Sequence, residues 1–241
     1  MKRFWSTVGV AEADGGWRIT LDGRPIKTQG GNPQVVPHRA LAEAMAEEWS
    51  RQGDKVAPEG FIWRDMADFA IDHVRPGRDA TIAKLLSYAE TDTLCYRADP
   101  DEPLYRRQRE LWDPLLGELE DRHGVRLEPV SGIVHRAQPE AATARLRQVL
   151  EAQDDFTLAA LHTLAPLAHS LTVAMAALVP GADPAALFAA ANAEQDWQAE
   201  LWGWDHEAER TRAAKLTAFQ AAVRFAGLAG GGETGSRAEN P

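Results

Sequence analysis

The stretch Gly16–Gly23, GWRITLDG, decides the fold of the first part of the chain. Apolar and polar side chains alternate along it, and this period of two indicates a strand with one buried face. Asp22–Gly23 closes the stretch with residue types that tight reversals need, because glycine adopts positive φ angles freely. Together with the extended run Val8–Val10 and the turn pair Gly15–Gly16, it predicts a β-meander.

After Pro37 the hydrophobic period becomes that of an α-helix. Leu41, Met45 and Trp49 recur every four residues, which predicts an amphipathic helix with these residues on its buried stripe. Two short apolar runs, 93–96 and 125–134, favour strands, which would let the first sheet take in later parts of the chain. Further helices are predicted at residues 64–73, 79–91, 103–123, 139–152, 157–178 and 184–228, the last with a break near residue 203.

These patterns predict an α+β protein, in which a small β-containing N-terminal domain is followed by a mainly α-helical C-terminal domain. The first domain is expected at residues 1–77, with one or two helices beside the strands, and the helical domain at residues 78–229. Arg75–Arg78, which contains a Pro-Gly pair, marks the boundary. Residues 230–241 are Gly-rich and have nothing to bury, so they are expected to form a flexible tail.

Composition limits the classes of partner. The chain has 241 residues, of which 36 are acidic and 26 basic, and a formal charge of -10. Such a surface repels phosphate backbones and anionic lipid headgroups, so no nucleic-acid partner is expected. Polar residues interrupt the weakly polar stretch 158–179, which favours a buried helix over membrane insertion. Cys95 is the only cysteine, which excludes an intrachain disulfide and favours a reducing compartment.

Motifs of enzymes and cofactor sites are missing from the sequence. It contains no GxGxxG, GxxxxGK[ST], HExxH or GxSxG pattern, so neither enzymatic activity nor a cofactor is expected. The alternative hypothesis is a small acid-base or metal-assisted hydrolase. It would use Asp68 and Asp72, four apart on a predicted helix, with His162 and His169, two turns apart on another. Solvated carboxylates and packed histidines are the simpler interpretation.

Two predicted helices each carry a carboxylate and an amide inside an apolar stripe. Glu48 and Gln52 fall within the stripe that contains Trp49, which we predict to be a core residue. If residues 187–202 form one continuous helix, Glu194 and Gln198 occupy the same kind of position. A carboxylate there needs hydrogen bonds or a cation. Each is therefore either paired internally, with Arg residues of neighbouring helices as candidates, or available to a partner.

Tryptophans and acidic residues are concentrated in the segment 196–209. Trp197, Trp202 and Trp204 lie among the acidic residues of the segment 196–209, and the chain has 8 tryptophans in all. Aromatic side chains amid acids suit a protein interface that faces a basic patch. Trp197 and Trp202 are equally compatible with a place in the core.

Six sequence blocks together resemble the Atp-twelve family of ATP synthase assembly chaperones. They follow one another in order from residue 3, and the resemblance extends to about residue 208, so nearly all of the chain except its tail is covered. The blocks are Arg3–Trp5 (RFW), Gly16–Thr28 (GWRITLDGRPIKT), Glu47–Gln52 (EEWSRQ), Thr91–Arg97 (TDTLCYR), Gln108–Pro114 (QRELWDP) and Trp197–Gly203 (WQAELWG).

The resemblance implies a non-catalytic chaperone. Such a protein would bind the unassembled alpha subunit of the ATP synthase catalytic head and prevent its aggregation until the beta subunit docks. It also implies the fold expected above, a small β-containing domain before a helical one. Because the chain begins almost directly at Arg3–Trp5, a bacterial, cytoplasmic member is expected, whereas eukaryotic relatives would act in the mitochondrial matrix. The protein is expected to be a monomer.

The family has an acidic site just before its Trp-Gln block, and the resemblance maps this site to Glu194. Where two adjacent acids are expected, this chain has Glu194 followed by Gln195, and Asp196 is the nearest substitute. The residues expected to bind a partner are therefore Glu194, Asp196, Gln198, Trp202 and Asp205. The residues expected to have a structural role are Trp49, Glu48 and Gln52.

Overall fold

The computed structural model describes residues 2–132 and 134–231, which group into two compact units. Unit 1 comprises residues 2–78, 155–160 and 224–231, and unit 2 comprises residues 79–132, 134–154 and 161–223. The N-terminal sheet lies in unit 1 and helices dominate unit 2, which confirms the predicted α+β architecture. The division into separate domains at residue 77 stays a prediction. Of the predicted tail, residues 232–241 lie outside the described residues.

An antiparallel sheet forms from β1 (Val8–Ala13), β2 (Gly16–Leu21) and β3 (Arg24–Pro25), in that order. Its turns use the predicted glycines, since Gly15 and Gly23 have φ angles of 78° and 77°. Gly16 also allows a close approach, because a Cβ there would lie 2.2 Å from the carbonyl oxygen of Val36. Ile19 is fully buried, as expected for the inner face of β2.

Ten α-helices follow the sheet within the described residues. Helix α2 continues into a wider π-helical turn at Ala70–Val74. The helices are α1 Arg39–Ser50, α2 Ile62–Phe69, α3 Arg78–Glu90, α4 Pro103–His123, α5 Glu140–Glu151, α6 Asp155–Ala168, α7 Leu171–Ala176, α8 Pro184–Ala191, α9 Ala193–Trp202 and α10 His206–Ala229.

Helix α1 packs its apolar stripe against β1, β2 and α2. Leu41 and Met45 are fully buried, and Trp49 exposes 9% of its surface. The Trp49 ring lies between two other buried rings, with centroids 5.0 Å from Trp5 and 4.7 Å from Phe61. This row of aromatic side chains supplies much of the large apolar area buried in unit 1.

Glu48 and Gln52 are buried beside this row of rings. The Glu48 carboxylate accepts backbone N–H groups of Trp63 (2.8 Å) and Arg64 (2.9 Å), two of the first-turn donors of α2 that have no partner within the helix. The Oε1 atom of Gln52 accepts the N–H of Ala57 (2.7 Å). The expectation of Arg partners was therefore wrong for Glu48, because a helix N-terminus supplies both the donors and a favourable dipole.

The predicted helix 157–178 is interrupted. Helix α6 ends at Ala168, and His169 adopts a positive φ of 48°. The Oγ atom of Ser170 then accepts the N–H of Val173 (3.0 Å) and caps the start of α7. Ser is a strong N-cap residue, and here its local hydrogen bond competes with continuation of the helix.

The two later strands are shorter than predicted and do not join the first sheet. Residues Thr93–Cys95 form a 3-10 turn, and only β4 (Tyr96–Arg97) and β5 (Val130–Ser131) pair, in a parallel sheet of their own. Asp92, fully buried, explains the turn, because its carboxylate accepts the N–H of Leu94 (3.1 Å) and that of Thr172 (2.9 Å). Cys95 is buried beside it, and burial raises the pKa of its thiol to about 12.

The weakly polar stretch 158–179 lies within α6, α7 and the turn that follows, and most of its residues are buried. Among residues 2–132 and 134–231, none of the helices combines the length and the apolar character needed to cross a bilayer.

Replacement of Glu48 tests its structural role. Glu48→Ala leaves two partly buried backbone donors of α2 without an acceptor, so we expect the free energy of unfolding at pH 7 to fall by about 1–3 kcal/mol. Urea denaturation measures the change. Glu47→Ala is the matched control, since Glu47 is exposed and forms an ion pair with the exposed Arg51. Equal losses in the two variants would contradict the capping role.

Candidate functional site

Helix α9 carries most of the residues predicted to bind a partner. It is separated from α8 at Asn192, whose side-chain amide donates to the carbonyl of Phe188 (2.7 Å). It ends at Gly203, which has a φ of 86° and donates to the carbonyl of Ala199 (2.8 Å). The assumption of one continuous helix over residues 187–202 was therefore wrong, and the predicted apolar stripe does not continue from α8 into α9.

The C-terminal half of α9 is exposed where the stripe was expected to be buried. Leu201 exposes 57% of its surface and Trp202 exposes 78%, and Trp204 in the following connection exposes 41%. At 100° per residue, Glu194, Gln198 and Leu201 lie within about 60° of one another, and Trp202 lies beside them. We call the surface formed by Glu194, Gln198, Leu201 and Trp202 the α9 face.

Glu194 begins the α9 face. Its Oε1 atom accepts a hydrogen bond from the Nε2 atom of Gln108 in α4 (2.7 Å). The Oε1 atom of Gln108 accepts the N–H of Ala98 (2.9 Å), which fixes the orientation of the amide. Glu194 thus pairs with an amide rather than with the expected arginine. Partial burial raises the pKa of its carboxyl, and the bond from Gln108 opposes that rise.

Two of the other predicted carboxylates make contacts within unit 2. Asp196 accepts two hydrogen bonds from the guanidinium of Arg212, at 2.8 and 2.6 Å. Asp205 accepts the N–H of Ala208 (3.2 Å) at the start of α10. Both side chains therefore help to position helices. Gln198 and Trp202 lie exposed on the surface of α9.

Sequence reasoning missed several residues around α9. Arg107 in α4 donates to both carboxylate oxygens of Glu200, at 2.6 and 2.8 Å, and its guanidinium lies 5.6 Å from the ring of the half-buried Trp197. Arg107 precedes Glu200 by 93 positions, so no local spacing could have revealed this pair. The exposure of Leu201 was missed as well, since the break at Asn192 separates α9 from the apolar residues of α8.

The predicted structural residues lie elsewhere, in unit 1. Trp49, Glu48 and Gln52 belong to the end of α1 and the connection after it, where they contact the aromatic row and the start of α2. Their contribution to stability stays a prediction.

Asp68 and Asp72, the carboxylates of the alternative hydrolase hypothesis, accept hydrogen bonds from the loop that contains residues 28–30. Asp72 accepts the hydroxyl of Thr28 (2.7 Å) and the N–H of Gly30 (2.7 Å), and Asp68 accepts the N–H of Gln29 (3.0 Å). Hydrogen bonds to the Asp72 carboxylate, with the nearby charge of a histidine, lower its pKa although burial opposes this. The two acids therefore bind the backbone and side chains of the loop rather than face a substrate together.

The predicted histidine pair is not formed as expected. His162 lies within α6, but His169 lies beyond the end of that helix, so the two do not share a helical face. In the part of the chain that the structure describes, no group of three or more His, Cys, Asp or Glu side chains is placed to hold a metal ion.

Titration of two glutamates tests the electrostatics of α9. We expect the pKa of Glu194 to lie above the ordinary 4.5 and that of Glu200 to lie below it, because Arg107 donates to Glu200. In Gln108→Leu the pKa of Glu194 should rise further, since the bond that favours the carboxylate is lost. Carboxyl ¹³C NMR measures both values. A Glu194 that titrates below Glu200 would contradict the described contacts.

Comparisons with known proteins identify relatives along the whole described fold. A family model described as "ATP12 chaperone protein" matches residues 2–120. The crystal structure of Atp12 from Paracoccus denitrificans is 37% identical, with a TM-score of 0.89, over 95% of this chain and 98% of that one. A point mutant of Paracoccus denitrificans Atp12p matches with the same identity and TM-score, over 95% of this chain and 97% of its own.

A more distant relative comes from a eukaryote. "Protein atp12, mitochondrial" of Schizosaccharomyces pombe is 26% identical over 214 residues, which span 84% of this chain and 74% of that protein. The two bacterial structures match the architecture of this chain over nearly the full length of each. The chain therefore belongs to the ATP12 chaperone family, whose members it matches in sequence and in fold.

Proposed function

We propose that this chain binds the unassembled alpha subunit of ATP synthase and prevents its aggregation until the beta subunit docks. Family membership makes the chain a chaperone of ATP synthase assembly and not an enzyme. A subunit of a ring exposes apolar surface before its neighbour arrives, and such surface aggregates unless it is covered. We assign the covering surface to the α9 face.

The exposure of Trp202 carries this assignment. Trp202 exposes 78% of its surface, and the adjacent Leu201 exposes 57%. A partner that buries this apolar area would gain binding free energy. Complete burial of one such side chain contributes on the order of 1.5–3 kcal/mol. Interfaces concentrate their binding energy in a few aromatic anchors of this kind. Trp202 is therefore proposed as the anchor, with Leu201 beside it.

The acidic residues around the anchor set its orientation toward a partner. Asp196 and Glu200 are paired with arginines, so the carboxylate proposed to meet a donor on the alpha subunit is that of Glu194. Exposed Glu207 and Glu209 add negative charge at the start of α10. A basic or amide-rich client surface is favoured by this charge, which guides association more than it adds affinity.

Moderate affinity suits a contact that must be released. Desolvation of Glu194 subtracts from the free energy gained by burial of Trp202, so the complex remains reversible. Competition by the beta subunit for the same client surface would then suffice for release, without ATP hydrolysis or a cofactor. We place this activity in the cytoplasm of a bacterium, with the chaperone acting as a monomer.

Aggregation of purified ATP synthase alpha subunit, followed by light scattering with and without the chaperone, tests the proposal. Trp202→Ser should weaken protection at least fivefold, because the exposed anchor is lost. Glu194→Lys should weaken it through charge reversal. Thermal unfolding of both variants checks that the fold is kept, since an early transition in Glu194→Lys would instead indicate a structural role.

Val134→Ser is the matched control, because Val134 exposes 80% of its surface in the same unit but lies away from α9 in sequence. It should protect the alpha subunit as well as the unaltered chain does. Full protection by both Trp202→Ser and Glu194→Lys would refute the assignment of the α9 face.

A further inference from the structure

Helix α9 buries little apolar surface against the rest of unit 2, since its central Trp197 is only half-buried. Of its ten residues only Ala193, at the first position, is buried. Helices of globular proteins are ordinarily held by burial of an apolar stripe, and a short helix without one is marginal in water. Apart from the partial burial of Trp197, the position of α9 therefore depends on its polar contacts. These come from Gln108, Arg107 and Arg212.

Arg212 makes the most extensive of these contacts. Its Nε and Nη2 atoms donate to the two oxygens of Asp196 at 2.8 and 2.6 Å, which is a bidentate pair. The same guanidinium lies 5.5 Å from the ring centroid of Phe188 and 5.7 Å from that of Trp204. One side chain of α10 thus contacts α8, α9 and the connection after Gly203.

The two arginine–carboxylate pairs of α9 differ in their burial. The side chains of Arg212 and Asp196 are 21% and 19% exposed, whereas those of Arg107 and Glu200 are 33% and 55% exposed. Exposed ion pairs contribute little, because water and salt screen them. Loss of one partner from a more buried pair has a larger effect, since it leaves a desolvated charge behind.

We propose that Arg212 is the positioning residue of the α9 face: it holds α9 and Trp204 in the orientation that presents Trp202 to the client. This inference rests on the proposed function. It assigns the role to the planar guanidinium and not merely to a positive charge. A lysine in its place would keep the charge but could not make the bidentate pair of hydrogen bonds with Asp196.

Fluorine NMR and client binding together test the proposal. The chain labelled with 5-fluorotryptophan gives a ¹⁹F resonance for each indole, and Trp202→Phe and Trp204→Phe assign two of them. We expect Arg212→Gln and Arg212→Lys to shift both resonances and to weaken binding of purified alpha subunit about tenfold, at temperatures where the chain stays folded. Arg107→Gln is the matched control and should weaken binding less than threefold, because its pair is more exposed.

The readouts separate positioning from a purely structural role. If Arg212→Lys lowers only the melting temperature, while the two resonances and the affinity of the folded chain stay unchanged, the proposal is wrong. It is also wrong if Arg107→Gln has the larger effect on affinity. Should Arg212→Gln fail to fold, Asp196→Asn removes the pair from the other side and should shift the same two resonances.

Failure of the proposed function has a different signature. If the unaltered chain does not bind the alpha subunit, the function is refuted, whereas the resonances of Trp202 and Trp204 still report whether Arg212 positions α9. Unshifted resonances in Arg212→Gln and Asp196→Asn alike would then refute the positioning role by itself.

Discussion

Three polar contacts and a half-buried Trp197 hold helix α9, in which only Ala193 is fully buried. The side chains of Arg107, Gln108 and Arg212 bind Glu200, Glu194 and Asp196, and through them they fix α9 against its neighbours in unit 2. Because these contacts hold α9 without a continuous buried stripe, the helix can expose Leu201 and Trp202 to water. The display of an apolar anchor thus depends on an electrostatic attachment that needs no apolar stripe.

A chaperone surface has to satisfy two opposed requirements. It must be apolar enough to cover the aggregation-prone surface of the client. It must also stay exposed in the free chaperone and bind weakly enough that the client is released. Breaks at Asn192 and Gly203 keep the helix short, and its polar attachment separates Trp202 from the buried core of unit 2. In the proposed function, desolvation of Glu194, which accepts one hydrogen bond from Gln108, would limit the affinity for the client.

The periodicity of apolar residues correctly predicted those strands and helices that can be recognised from a short stretch of sequence. The alternation of Gly16–Gly23 predicted β2 and its turn, and the period of Leu41 to Trp49 predicted α1. The same patterns could not predict the interruption at Asn192, because the residues on both sides favour helix and a local side-chain hydrogen bond marks the break. Wheel arithmetic continued across that break placed Gln198 inside an apolar stripe, whereas its side chain is exposed.

Buried and half-buried carboxylates show a second limit. The sequence predicted that Glu48 and Glu194 need partners, but not which ones, since Glu48 meets backbone amides of α2 and Glu194 meets Gln108, 86 positions away. Every residue except proline has a backbone N–H, so the sequence does not show which of them bonds a given carboxylate. Which side chains meet across 86 positions is decided by the tertiary packing of the helices. Asp68 and Asp72, read as a possible acid-base pair, also proved to bind a loop through its backbone.

Amide hydrogen exchange of the chain, alone and with purified ATP synthase alpha subunit, tests the central claim most directly. If the α9 face is the client surface, exchange should slow in peptides that cover residues 193–209, while the loop 28–32 and helix α1 keep their rates. Unchanged exchange over residues 193–209, with protection confined to other parts of the chain, would contradict it.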